Sequence, residues 1–307
     1  MALPLALFVL SVLVTLILGF DADARRDLKE AAVFRDGYKA AALTRSAIQT
    51  ARATLHRDVV LKKQAGRSYD ALTDVWATPT SGKLIGDGIV SVSIEDERGK
   101  LNLNDLSRAM EPTLHTETIL RFKRLCVRIQ VNPELIDAIV DWVDADDVPE
   151  KYGAERRYYE SLNPPYQPAN TALQTLDELH LVKGMTPEIV ERLARYVTVY
   201  PAVADGWVNI NTADPLVIEV LSPRITPALA LTVSQARPFR TMQDVDRVVE
   251  FAPVAKELQL TGAYTLESDY FTVRTSVTAN EATRNARAVI RRSRADGDTR
   301  VIYFRME

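Results

Sequence analysis

The chain opens on an apolar run, MALPLALFVLSVLVTLILGF, in which no side chain from Met1 to Phe20 is charged. At ~1.5 Å of rise per residue, a helix of this length spans ~30 Å, the thickness of a bilayer's hydrocarbon core. After Phe20 the pattern changes without a break. The stretch DADARRDLKEAAVFRDGYKAAALTRSAIQTARATLHRDVVL holds no proline, and Ala31, Phe34, Tyr38, Ala41, Ala42, Ile48 and Leu55 recur at spacings of three or four. Gly37 is its one weak point, worth ~1 kcal/mol against alanine. The pattern predicts one helix from about residue 3 to about residue 60, roughly 85 Å long. Its first half is apolar all round and its second half amphipathic, so the second half is expected to lie against a globular domain.

From 64 to 88 the chain reads as loop, with three glycines in SGKLIGDG. GIVSVSIEDERGKLNLN then alternates: Val90, Val92 and Ile94 point one way and Ser91, Ser93 and Glu95 the other, a half-buried strand. LNLN reads as a further short strand. The C-terminus returns to this period. In YFTVRTSV, Phe271, Val273, Thr275 and Val277 share a face, and ARAVIRR and RVIYFRM follow across the turn-like SRADGD. Three such runs predict an antiparallel meander.

Between the strand regions, about 105–262, the pattern is helical. Thr186–Pro187, Asp214–Pro215 and Thr226–Pro227 each place an N-cap residue before a proline at the first helical position. Thr241 precedes MQDV, with Asp244 where a capping box has its acid. The triplet NTA occurs at Asn170 and again at Asn211, and Thr-Pro at Thr186 and Thr226, which suggests two copies of one helical unit. Strands, then helices, then strands predict an α+β fold: a long N-terminal helix and an antiparallel sheet carrying a large all-α insertion.

The second copy, VNINTA to ARPFRTMQDV, resembles the helix-hairpin-helix domains of competence DNA receptors and repair proteins. Those hairpins use a Gly-hydrophobic-Gly turn whose bare backbone N–H groups close on a phosphate. Here the turn reads SPRIT: Pro223 lacks an N–H, and Arg224 and Thr226 fill the glycine places. The first copy, VKGMT, keeps only Gly184. DNA binding is therefore not expected, and packing or protein contact is.

Composition changes this picture little. Of 307 residues, 47% are hydrophobic and 26% charged, and the net charge of −3 provides no global basic field for nucleic acid. The single cysteine, Cys126, excludes an internal disulfide and reads as a buried apolar side chain. His56, His115 and His180 lack metal-ligand spacing, and no nucleophile elbow, phosphate loop or CxxC occurs, so an enzyme is not expected. The arginines from Arg284 to Arg305 read as solvated strand faces. One stretch points to chemistry. DWVDADDVPEKYGAE, Asp141 to Glu155, holds six acids. Asp141 and Asp144 share a helix face, and Asp144, Asp146 and Asp147 enter a loop closed by Pro149 and Gly153. Val148 and Pro149 exclude an EF-hand, which leaves a calcium loop of another kind or a solvated acidic turn.

Together the apolar N-terminal helix, DERGKLNLNDL, DWVDADD, GAE followed by YY, PPYQPAN, LVKGMT and VNINTA, in this order along the whole chain, are similar to the type II secretion minor pseudopilins of the protein K family. The resemblance implies a pilin-like fold with two SAM-like helical units. The implied boundaries are 1–22 for the membrane part of the helix and 23–104 for the pilin-like helix and first strands. The two units are 105–207 and 208–265, and 266–307 holds the closing strands. It implies a tip subunit that initiates and caps the pseudopilus for export across the outer membrane. Its partners would be the other minor pseudopilins I, J and H and the major pseudopilin, with no nucleic acid. It implies a single-pass inner-membrane protein with a periplasmic domain, processed by prepilin peptidase and methylated at the new terminus, with Met1 and Leu5 as assembly residues. The resemblance also favours calcium in the acidic loop, with Asp144, Asp146 and Glu155 as first ligands and Asp147 and Asn170 next. Relatives carry Asp after GAE where this chain has Arg156. Most pilins carry Glu where this chain has Leu5. A carboxylate in hydrocarbon needs a partner, and Leu5 cannot capture the ammonium of a subunit above, which suits a tip position. The other reading the sequence allows is a membrane-anchored helix-hairpin-helix DNA receptor.

Overall fold

The computed structural model describes residues 2–107 and 112–306. Met1, an expected assembly residue, lies outside them. Helix α1 runs from Ala2 to Gln64, longer at both ends than its pattern predicts. It stops where Gly66 takes a left-handed φ of +65°. There the Gly66 N–H donates to Lys63 O and the Arg67 N–H to Lys62 O, a Schellman closure.

The buried stripe of α1 is Asp36, Ala40, Thr44, Ala47, Ile48, Ala51, Leu55 and Val59. Only Ile48 and Leu55 of the expected apolar series fall on it. Phe34 and Tyr38 point the other way, 77% and 69% exposed. Helical periodicity finds both faces here, because alanine fills the packed one and the larger rings sit outside. The packed face meets a five-stranded sheet of order β1-β2-β7-β8-β9. These strands are β1 Thr80–Ile85, β2 Gly88–Asp96, β7 Tyr270–Ala279, β8 Ala282–Arg292 and β9 Thr299–Met306, each antiparallel to its neighbours. Leu55, Trp76, Phe271, Val273 and Ile290 form the centre of the contact, with Trp76 edge-on to Phe271 at 5.0 Å. Each such side chain contributes ~1.5–3 kcal/mol by burial.

Strand β1 lies in the segment expected as loop. All six of its residues are exposed and Gly82 takes a left-handed φ beside a shift in register, so no alternation marks it. Backbone pairing to β2 makes it a strand.

The helical insertion holds α2 (Pro112–Arg128), α3 (Leu135–Val143), α4 (Arg156–Glu160), α5 (Pro187–Ala194), α6 (Pro215–Val220), α7 (Pro227–Gln235), α8 (Met242–Asp246) and α9 (Ala252–Leu260). The four expected caps are in place: Thr186, Asp214 and Thr226 accept N–H bonds at the starts of α5, α6 and α7, and Thr241 with Asp244 forms the capping box of α8. The duplication is real, but the two NTA triplets do not correspond. Two parallel strand pairs set the frame, β3 (Leu101–Asn102) with β4 (Val197–Thr198) and β5 (Val208–Asn209) with β6 (Tyr264–Thr265). Asn104 Oδ1 accepts the Leu173 N–H at 2.7 Å, as Asn211 Oδ1 accepts the Phe239 N–H at 2.8 Å. Thr175 and Glu178 form a capping box that matches Thr241 and Asp244. LNLN thus corresponds to VNIN, and α5 to α9. The triplet at Asn170 belongs to a loop beside the acidic segment instead.

Candidate metal centre

Helix α3 is buried along nearly its whole length, and this carries Asp141 into the interior at 0% exposure. Asp144 caps the helix, its N–H donating to Val140 O at 2.9 Å. The chain then loops out through Asp146 to Glu150 and returns. Asp141 Oδ1 accepts the Glu150 N–H at 2.9 Å, which ties the loop back to the helix. Gly153 passes so close to Asp141 that a β-carbon there would lie 1.9 Å from Oδ2, so only glycine fits. Glu155 follows as the residue before α4 and is buried, and the Tyr158 N–H donates to its carbonyl at 2.8 Å.

The fold thereby gathers three carboxylates, Asp141, Asp144 and Glu155, with one oxygen from each within 4.8 Å of the others. Among the described residues, Asp141 Oδ2, Asp144 Oδ1 and both Glu155 carboxylate oxygens are buried and accept no hydrogen bond. Burial, then the charges of Asp146 and Asp141, push the Asp144 carboxyl up to about 6. Burial, then Asp141 and Asp144, push Glu155 up to about 7, and Asp141 is also raised, chiefly by burial. Buried carboxylates without donors are costly unless a cation or protons offset them.

Asn170 takes a left-handed φ of +43°. Its N–H donates to Trp142 O at 3.0 Å and its Nδ2 to Asp146 O at 3.2 Å, and its Oδ1 is another buried oxygen without a donor. Asp146 and Asp147 stay outside the trio. Asp146 Oδ1 accepts the Val148 N–H at 2.8 Å. Exposed Asp147 lies 3.8 Å from the Arg156 guanidinium, so Arg156 supplies a cation to the loop. Asp141 is the functional candidate that sequence reasoning left out of the ligand set. The available signal was its position one helical turn before Asp144.

A second acidic trio, Asp58, Asp70 and Asp74, is already paired with protein cations. Lys62 Nζ lies 2.8, 2.7 and 2.6 Å from its three carboxylates, and Arg292 reaches Asp58 at 2.9 Å and Asp70 at 2.7 Å. It joins the end of α1 to the sheet.

The family model of type II secretion system protein K matches residues 99–202, the segment that builds the carboxylate trio. The type II secretion system protein K of Pseudomonas aeruginosa is 29% identical over 262 residues, covering 82% of this chain and 76% of that protein. The same-named protein of Aeromonas hydrophila is 29% identical over 65% of each chain. The chain belongs to the type II secretion system protein K family. A chain in the crystal structure of the GspK-GspI-GspJ complex from enterotoxigenic Escherichia coli shares its fold, with a TM-score of 0.75 at 22% identity over 92% of this chain and 99% of that one. One helix among the described residues, α1, is long and apolar enough to cross a membrane.

Proposed function

We propose that this protein K family member is a minor pseudopilin that joins I- and J-type subunits at the tip of the type II secretion pseudopilus, and that a calcium ion held by its acidic loop fixes the helical insertion. The observation that carries the assembly role is α1. From Leu3 to Arg35 none of its side chains is buried by the protein's own body, and Phe34 and Tyr38 extend an apolar face past the membrane segment. Such a helix offers faces to neighbouring helices. The fold shared with a chain of the GspK-GspI-GspJ complex supports the same partners here. Leu5, without a carboxylate, fits the terminal position in the filament. The bilayer would be the inner membrane, with the globular part in the periplasm.

The hairpins argue against nucleic acid. In the second, the Arg224 N–H donates to Ser222 Oγ, the Ile225 N–H to Ser222 O, and the Arg224 guanidinium pairs with Glu257. The donors that a phosphate would need are already engaged within the protein.

The residues present fit a hard cation. Calcium takes six to eight oxygens, and Asp141, Asp144 and Glu155 would supply the charged ones, with Asn170 Oδ1 as a further donor. The ion would supply charge neutralisation. Asp141 holds the loop backbone through Glu150, and Gly153 keeps the space open.

The test of assembly is to mix the full chain, in detergent, with the I- and J-type subunits of its own system and measure mass by size-exclusion light scattering. A heteromer is expected. Separate elution of all three at tens of micromolar would refute the proposal.

A further inference from the structure

The hairpin between the 3₁₀ turn Leu176–Leu181 and α5 is not idle surface. Its Lys183 Nζ donates to Gly153 O at 2.8 Å and to Tyr152 O at 3.3 Å, and it stands 5.2 Å from the centre of the Tyr158 ring. The Lys183 N–H donates to the Oη of buried Tyr159 at 3.2 Å. Next in the chain, Gly184 has a left-handed φ of +78°, and a β-carbon there would meet Leu135 Cδ2 at 2.6 Å. The hairpin therefore touches the start of α3 through Gly184 and the acidic loop at Tyr152 and Gly153 through Lys183. Helix α3 delivers Asp141 and Asp144, and the loop delivers Glu155.

We propose that Lys183 is the positioning residue of the cation site: its ammonium pins the Tyr152 and Gly153 carbonyls, holding Gly153 against Asp141 and Glu155 in the trio. This rests on the cation reading above. A tether of this kind orients ligands without touching the ion, and losing such outer contacts costs about 10–100-fold in metal affinity. The sign separates positioning from simple charge. Removing a nearby positive charge should tighten binding of a divalent cation, because Coulomb repulsion falls. Removing a tether should weaken it.

The experiment titrates calcium into the full chain in detergent by calorimetry, for wild type, Lys183→Met, Lys183→Arg and Lys151→Met. Lys151 lies in the same loop, 4.8 Å from the Tyr152 ring centre, and among the described residues none of its contacts ties the loop to the hairpin. Lys183→Met is expected to raise Kd about 10–100-fold. Lys183→Arg, which keeps donors for both carbonyls, should restore it to within roughly threefold. Lys151→Met should leave Kd unchanged or slightly lower it. Melting in chelator checks that each variant folds, and Lys183→Gln replaces Lys183→Met if the latter does not, with the same rise in Kd expected. Unchanged or tighter binding in the variant that folds, with wild type binding calcium, overturns the role of Lys183 alone. No calcium binding by wild type overturns the cation reading and this proposal with it.

Discussion

Asp141→Asn should make the cation-free protein more stable while abolishing its response to calcium. Asp141 Oδ1 accepts the Glu150 N–H, which an asparagine oxygen can still do. Among the described residues Asp141 Oδ2 accepts no hydrogen bond, and one Asp141 carboxylate oxygen lies within 4.8 Å of an oxygen of Asp144 and of one of Glu155. Two unit charges at that distance repel by roughly 3 kcal/mol at an effective dielectric of 20. Partial protonation relieves some of this, so a gain of about 1–3 kcal/mol is expected at pH 8, or roughly 2–10 °C in melting temperature. The sign follows from the shifts. Asp144 and Glu155 titrate near 6 and 7 when folded, above their unfolded values. Their protonation favours the fold, so the contribution of these two groups to the stability of the chelated wild type is greatest below the ordinary carboxylate range and is lost as pH rises through about 6–7. The advantage of Asp141→Asn should grow across that window and fade by pH 4. Calcium binds the deprotonated trio, so its stabilisation of wild type should also grow there. At a hundredfold excess over Kd it reaches about 2.7 kcal/mol, roughly 5–10 °C. Differential scanning fluorimetry of the full chain in detergent, with calcium or chelator at several pH values, reads both effects. If Asp141→Asn melts no higher than wild type in chelator at pH 8, or keeps the wild-type calcium shift, the reasoning is wrong.

Gly153→Ala places a β-carbon on the Asp141 carboxylate and should cost at least tenfold in calcium affinity, measured by calorimetry, while chelated melting falls by no more than a few degrees. Arg292→Met strips partners from Asp58 and buried Asp70 and should destabilise by about 3–5 kcal/mol in urea denaturation, whether or not calcium is present. Asn104→Ala and Asn211→Ala each orphan a buried backbone N–H and carbonyl at equivalent places, and each should cost about 2–4 kcal/mol. A large loss in one and none in the other would break the equivalence of the two helical units.

Local chemistry was legible in the sequence and long-range choice was not. The caps at Thr186, Asp214, Thr226 and Thr241 depend on neighbours within four residues, and all four form. The meander declares itself because Phe271, Val273, Thr275 and Val277 alternate with residues of the other face. Strand β1 has no such mark. The repeat was legible as a duplication but not in its frame, because NTA is a short match. The equivalence rests on what Asn104 and Asn211 bind across the fold. At the site, Asp144 and Glu155 stand out within an acidic run. Asp141 looks like one more helix-surface acid until the packing of α3 turns it inward.

The geometry of α1 argues that the globular body is one part of a larger structure. The apolar segment from Leu3 to Phe20 accounts for about 27 Å, close to the hydrocarbon thickness of a bilayer. The first side chain that the protein buries on this helix is Asp36. Residues 21–35 therefore cross roughly 20 Å more with neither lipid nor core around them. Pairs such as Arg25 with Asp21 at 2.9 Å support the helix there, but exposed pairs of this kind are worth only about 0.3–0.5 kcal/mol. Leu28, Val33, Phe34 and Tyr38 remain uncovered along the same stretch and just past it. Neighbouring helices at that level would cover these side chains and carry the globular part away from the membrane on a shared bundle. Isolated in detergent, the chain should show fast amide exchange from Asp21 to Arg35. Slowing of that exchange on adding the I- and J-type subunits would place their helices here. Unchanged exchange in an assembled heteromer would mean that the partners bind the globular body instead.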